Sequence, residues 1–208
     1  MLLVILIAAV LYWFPIRRWM GEWGATAEDL SREMRGDGYL AHPTYSGTTA
    51  ITINASPEDV WPWLVQIGYQ RGGLYSYDWL DRLFGFLDGP SAERILPEYQ
   101  RLAAGDVVPI GRGGGFPVAA IEPRRTLVLG GAADGVCWTW EFALYPAEDG
   151  RTRLVSRNRA AVPATIGWAL FRLALEPAAF IMTRKMLLGI KRRAEALAAN
   201  GGIARDAA

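Results

Sequence analysis

The chain has 208 residues, 51% hydrophobic and 21% charged, which excludes a disordered chain and supplies a core for one domain plus an appendage. Lys+Arg 22 against Asp+Glu 21 leaves a formal net charge of +1, so no global basic field draws nucleic acid. One cysteine, Cys137, and one histidine, His42, exclude an intramolecular disulfide, a cysteine-built zinc cage and most histidine-centred catalysis.

Residues 2–14 are uncharged and apolar and lead into Pro15, Ile16, Arg17 and Arg18. About fifteen helical residues reach roughly 22 Å, short of the hydrocarbon core of about 30 Å. A secretory signal fits less well, because no positive charge precedes the run and no small-x-small site follows it. Tyr12, Trp13, Phe14 and Trp19 suit an interface belt, and Arg17-Arg18 would leave the bulk of the protein on the cytoplasmic side. The expectation is an uncleaved anchor over 1–19, single-pass or monotopic, tethering the protein to the cytoplasmic membrane through residues 2–16. A buried N-terminal helix is the alternative.

Residues 20–47 read as a connector. Thr26 with Asp29 three residues on forms a short-acid capping box, and Gly36, Gly38, Pro43 and Gly47 interrupt any regular pattern. His42 sits in this stretch as a solvated or simple hydrogen-bonding group.

The folded domain is expected over 48–199. Thr48–Ile53 alternates and is β-branched, which predicts a strand. Ser56 then caps a helix with Pro57 at its first position, and Val60, Trp63, Leu64 and Ile67 form its buried stripe, with a kink at Pro62. Tyr75–Phe84 reads as a second short helix with Tyr75, Trp79 and Leu83 on one side, and a further turn is expected near Ile95. Strands follow at Val107–Ile110, Phe116–Ile121, Thr126–Leu129, Val136–Tyr145 and Thr152–Ala161, joined by short turns as an antiparallel meander. A long helix, roughly Thr165–Ala199, closes the domain, bent or split at Pro177, and 200–208 reads as a disordered tail. The fold class is α+β: a curved antiparallel sheet wrapped around the last helix, with an N-terminal apolar helix.

The segment Ile51–Glu195 resembles the SRPBCC superfamily, the START-like helix-grip proteins that include lipid carriers and polyketide cyclases. The matching pieces are ITINASPEDVWPWLVQIGYQRGGLYSYDWLDRLFG at 51–85, RILPEYQRLAAGDVVPI at 94–110, CWTWEFALYP at 137–146, TRLVSRNR at 152–159 and EPAAFIMTRKMLLGIKRRAE at 176–195. With the WGAT segment at 23–26 they look like an uncharacterised bacterial branch. The resemblance implies a cavity between the sheet and the long helix.

Chemical motifs are sparse. Gly111–Gly115 lacks the GK[ST] ending of a P-loop and precedes no helix, so it reads as a hairpin turn, and no two-histidine metal spacing exists. Neither cofactor nor metal nor catalytic residue is expected. Cys137 reads as a small buried thiol. Arg153, Arg157 and Arg159 share one face of the last strand, either solvated or reaching a partner such as Glu141 or Asp78. Arg172 and Glu176 suit a helix-face ion pair.

Aromatic residues carry more information. Pairing Leu144 with Leu154 sets Glu141 opposite Arg157 and Thr139 opposite Arg159, and turns Trp138, Trp140 and Phe142 into the grip. Met182 and Met186 would face them from the long helix. Trp63, Tyr75 and Tyr77 would approach from the mouth, with Tyr75 and Asp78 as polar contacts. These nine residues are the expected ligand site for a hydrophobic small molecule or lipid. The rival reading is a cyclase/aromatase-like enzyme using the same cavity, and a third is a structural domain with a filled core.

Overall fold

The computed structural model describes residues 15–133 and 135–201, apart from the side chains of Ala133 and of residues 169–174. Two short helices, α1 (Arg17–Gly21) and α2 (Ala27–Ser31), and a 3-10 turn at Arg35–Tyr39 precede strand β1 (Tyr45–Ile53). Helices α3 (Pro57–Val65) and α4 (Asp78–Leu83) follow, then β2 (Val107–Gly111), β3 (Gly114–Glu122), β4 (Thr126–Ala133), β5 (Val136–Pro146), β6 (Thr152–Ala161) and the long α5 (Ile166–Ala199).

The local signals account for most boundaries. Thr26 and Asp29 form the reciprocal capping box of α2, and Ser56 caps α3 through the Asp59 amide with Pro57 in the first turn. Thr165 caps α5, which runs through Pro177 as one element. Ile166, Leu175 and Ile181 in its first half are exposed.

All strand pairs are antiparallel, in the order β1-β6-β5-β4-β3-β2. The β5–β6 register is the expected one, with Leu144 opposite Leu154, Glu141 opposite Arg157 and Thr139 opposite Arg159. Ile53, Leu127, Leu129, Phe142, Leu144 and Leu154 form one buried core with Met186, Leu187, Ile190 and Ala194 of α5. This α+β arrangement, a six-stranded antiparallel sheet on a C-terminal helix, fits the helix grip.

The other sheet face is covered too. Met34, Ala50, Ala143 and Val155 make a second small core beneath the N-terminal segment. Arg153 bonds Asp29 at 2.5 Å, Arg157 and Arg159 bond Asp37 at 2.7 and 2.8 Å, and the Gly36 amide donates to Glu141 at 2.7 Å. The arginine face is therefore neither solvated nor part of the grip.

Several expectations need correction. Among the described residues no helix is long and apolar enough to cross a membrane, so the single-pass anchor and the membrane location drawn from it are not retained. Of the residues that suggested a membrane interface, Arg17 and Trp19 meet the long helix: Arg17 bonds Glu176 at 2.6 and 2.9 Å, and Trp19 meets Phe180 edge-on at 5.1 Å, while Tyr12, Trp13 and Phe14 lie outside the described residues. Residues 1–14, which hold most of the apolar run, lie outside the described residues, as does the Arg172 side chain and the tail from 202. Tyr75 is not helical. Its φ is +56°, and α4 starts three residues later with Trp79 and Leu83 exposed. Cys137 is exposed at the start of β5, although it shares a face with the buried Thr139 and Glu141.

Candidate functional site

The site is built around the turn that follows α3. The Gly68 and Gly73 backbones bond each other in both directions at 3.0 Å, which folds 68–73 into a closed loop. Tyr75 leaves that loop in the left-handed region, a sparse conformation for an aromatic residue. Its amide bonds Ser91 Oγ at 3.2 Å, and its backbone lies against Gly189 of α5, where any larger residue would collide.

The Tyr75 ring is thereby driven inward. It meets Trp63 edge-on at 6.0 Å on one side and the Arg193 guanidinium at 4.7 Å on another. Burial pushes the Tyr75 hydroxyl above its ordinary pKa, against opposing effects of Gln66, Arg193 and Arg71. The Trp63 Nε1 and the Tyr75 hydroxyl are both buried without a hydrogen bond of good geometry among the described residues.

The loop 91–96 is bound from two directions. Gln66 donates to the Arg94 carbonyl at 3.2 Å and accepts from the Leu96 amide at 2.9 Å. From α5, Arg193 bonds the Ala92 carbonyl at 2.8 Å and Glu93 at 2.7 Å, and Arg192 takes the same carboxylate at 2.7 and 2.8 Å. Burial lowers the Arg193 pKa while Glu93 opposes it.

Between this loop, α3 and the end of α5 lies a cleft of about 460 Å³. Trp63, Ile95 and Leu197 contribute apolar surface, and Arg94, Arg192 and Arg193 contribute charge. A second concavity, about 540 Å³, lies at the N-terminal segment, lined by Glu22, Arg32, Glu33, Asp37, Arg157 and Arg159 among others. There the buried Arg157 guanidinium is already occupied by Thr48, Asp37 and the carbonyls of Asp29 and Arg32.

The expected site residues fall into groups. Trp63 and Tyr75 meet beside the cleft, and Trp63 lines it. Trp138, Trp140 and Phe142 share the inward face with Phe116, at centroid distances of 4.2 Å (Phe116–Trp138), 6.0 Å (Phe116–Trp140) and 4.8 Å (Trp140–Phe142). Phe142 is fully buried, while the Trp140 indole donates to Ser156 at 2.9 Å. This ladder packs on the core and does not line the cleft. Met186 is in the core, whereas Met182 is half-buried outside that cluster. Tyr77 lies half-buried with the Lys185 ammonium 5.4 Å from its ring. Asp78 accepts from the Ser91 amide and hydroxyl at 3.1 and 2.7 Å, which fixes the loop.

Sequence reasoning missed Arg193, Glu93, Arg94 and Ile95. The basic run at the end of α5 was a signal, but it reads equally as charge suited to a helix C-terminus. Asp81 was also missed. It is fully buried, accepts from Ser76 at 3.2 Å through Oδ1, and leaves Oδ2 without a partner among the described residues. Burial raises its pKa to about 6, with Ser76 opposing and Asp78 adding. No group of three or more His, Cys, Asp or Glu side chains among the described residues could hold a metal.

No family model matches the chain, and no curated protein matches it. Solved structures are similar in fold. Protein MLL2253 from Mesorhizobium loti gives a TM-score of 0.44 at 16% identity, over 72% of this chain and 96% of that one. The Zhui aromatase/cyclase from Streptomyces sp. R1128 gives 0.44 at 19%, over 76% and 99%. The Aha1 dimer from Colwellia psychrerythraea gives 0.39 at 20%, over 71% and 98%. Likeness this distant carries no argument about chemistry and singles out no branch of the superfamily.

Proposed function

We propose that this chain is a helix-grip binding module that takes a hydrophobic small molecule in the cleft between α3, the loop 91–96 and the end of α5. The observation that carries the reading is Trp63. Among the expected site residues it is the one that lines the cleft. An apolar wall with a few polar groups around it is the usual composition of a small-molecule site.

An enzyme of the cyclase/aromatase type would need a proton-moving group at the bound molecule. Asp81 has a raised pKa, but it does not line the cleft, and binding is the better reading.

Ala196 is exposed and lines the cleft, so Ala196→Trp fills the cleft without disturbing the core. Native mass spectrometry of protein purified from its host is expected to show a retained small molecule on the wild type and none on the variant. Equal retention by both would overturn the assignment.

A further inference from the structure

The charge around this cleft narrows the ligand class. Three arginines, Arg94, Arg192 and Arg193, line it against one carboxylate, Glu93. Glu93 is shared between Arg192 and Arg193, so a single negative charge answers two guanidinium groups. Arg94 is exposed, and its side chain makes no hydrogen bond or ion pair among the described residues. Gln66 fixes the Arg94 backbone through its carbonyl, which holds the residue at the cleft rim while its side chain stays available. The apolar wall of Trp63, Ile95 and Leu197 borders this excess of positive charge within the same cleft.

Resting on the binding reading above, we infer that the ligand is a hydrophobic monocarboxylic acid, its tail on Trp63, Ile95 and Leu197 and its carboxylate on Arg94 and Arg192. An apolar wall alone would accept an alcohol or ester of equal size as readily. A carboxylate gains a charge-assisted hydrogen bond to a guanidinium, about twice as strong as a neutral one. The acid is thus selected by the arginines, and the tail by the tryptophan wall.

The probes are decanoate and decanol, titrated near neutral pH into the full chain and followed by tryptophan fluorescence. Decanoate is expected to bind at least about tenfold more tightly than decanol. Arg94→Ala, at an exposed side chain, is expected to weaken decanoate about five- to tenfold and leave decanol unchanged, with the same melting temperature as the wild type. Raising the salt concentration should weaken decanoate binding alone. Equal affinities for the two probes, or an equal effect of Arg94→Ala on both, would overturn the acid assignment and leave the binding reading standing. Failure of both probes to bind the wild type would overturn the two together.

Discussion

Glu141 and Arg157 stand directly opposite each other in the β5–β6 register, and each turns its charge to the N-terminal segment. Glu141 accepts from the Gly36 amide and the Thr126 hydroxyl, both at 2.7 Å. Arg157 reaches Asp37 and the carbonyls of Arg32 and Asp29 at 2.7 to 2.8 Å, and Thr48 at 2.9 Å. The pair thus clamps residues 29–37 onto the face of the sheet opposite the grip.

Arg157→Met tests that clamp. It keeps the apolar stem but leaves Asp37 without one of its two arginines and strips donors from the carbonyls of Asp29, Leu30 and Arg32. The expected loss is about 3–5 kcal/mol, the scale for breaking a buried ion pair. Urea denaturation measures it. A loss below about 1 kcal/mol would mean that the N-terminal segment is only loosely attached.

Gly189 offers a second stability test. A methyl group there would collide with the Tyr75 carbonyl oxygen and crowd its Cβ, and Tyr75 is already held at φ +56°. Gly189→Ala would ordinarily favour the helix by almost 1 kcal/mol. Here it is expected to cost about 1–3 kcal/mol by overpacking and to alter the Trp63 emission, because Tyr75 must move. A stabilised protein with unchanged fluorescence would contradict the close approach of α5 to that turn.

Two buried aspartates should shape the pH dependence in opposite senses. The folded-state pKa of Asp81 is raised to about 6, so its contribution is fully present below the ordinary carboxylate range and is lost as pH rises through about 6. Asp81→Asn is therefore expected to raise the melting temperature by roughly 2–6 °C near pH 7.5, with the advantage fading toward about pH 4. For Asp29, burial works upward, but hydrogen bonds from Arg153 and Thr26 outweigh it and hold the pKa below its ordinary value. That stability is present above the ordinary range and is lost as pH falls through the lowered pKa, so Asp29→Asn should flatten the acid limb. Thermal scans between about pH 2 and pH 8 check both signs. An Asp81→Asn protein less stable than the wild type near neutrality would contradict the first.

The β5–β6 hairpin was legible because alternation fixes a strand's faces, and matching Leu144 to Leu154 then fixes every other pair in it. The caps at Thr26 and Ser56 were legible for the same local reason. Tyr75 was not, since its left-handed backbone is imposed by Ser91 and Gly189, which are distant in sequence and carry no local turn signal. Asp78 looked like a ligand contact, yet its carboxylate holds Ser91, thirteen residues on. The fate of Arg153, Arg157 and Arg159 depended on where residues 20–47 fold, and breaker residues say only that such a segment is irregular. Arg17 and Trp19 suggested a lipid interface because arginine and tryptophan suit one, but the same chemistry suits Glu176 and Phe180 on a neighbouring helix.

The most direct test is the indole N–H resonance of Trp63, identified by its loss in Trp63→Phe and followed in a ¹⁵N-labelled full chain as decanoate is added. A ligand seated against the Trp63 ring should shift that signal and saturate it, together with the amides of Ile95 and Leu197, while the indole signals of Trp138 and Trp140 stay in place. Saturable shifts confined to Trp138 and Trp140, with Trp63 unmoved, would place the ligand inside the grip and contradict the cleft.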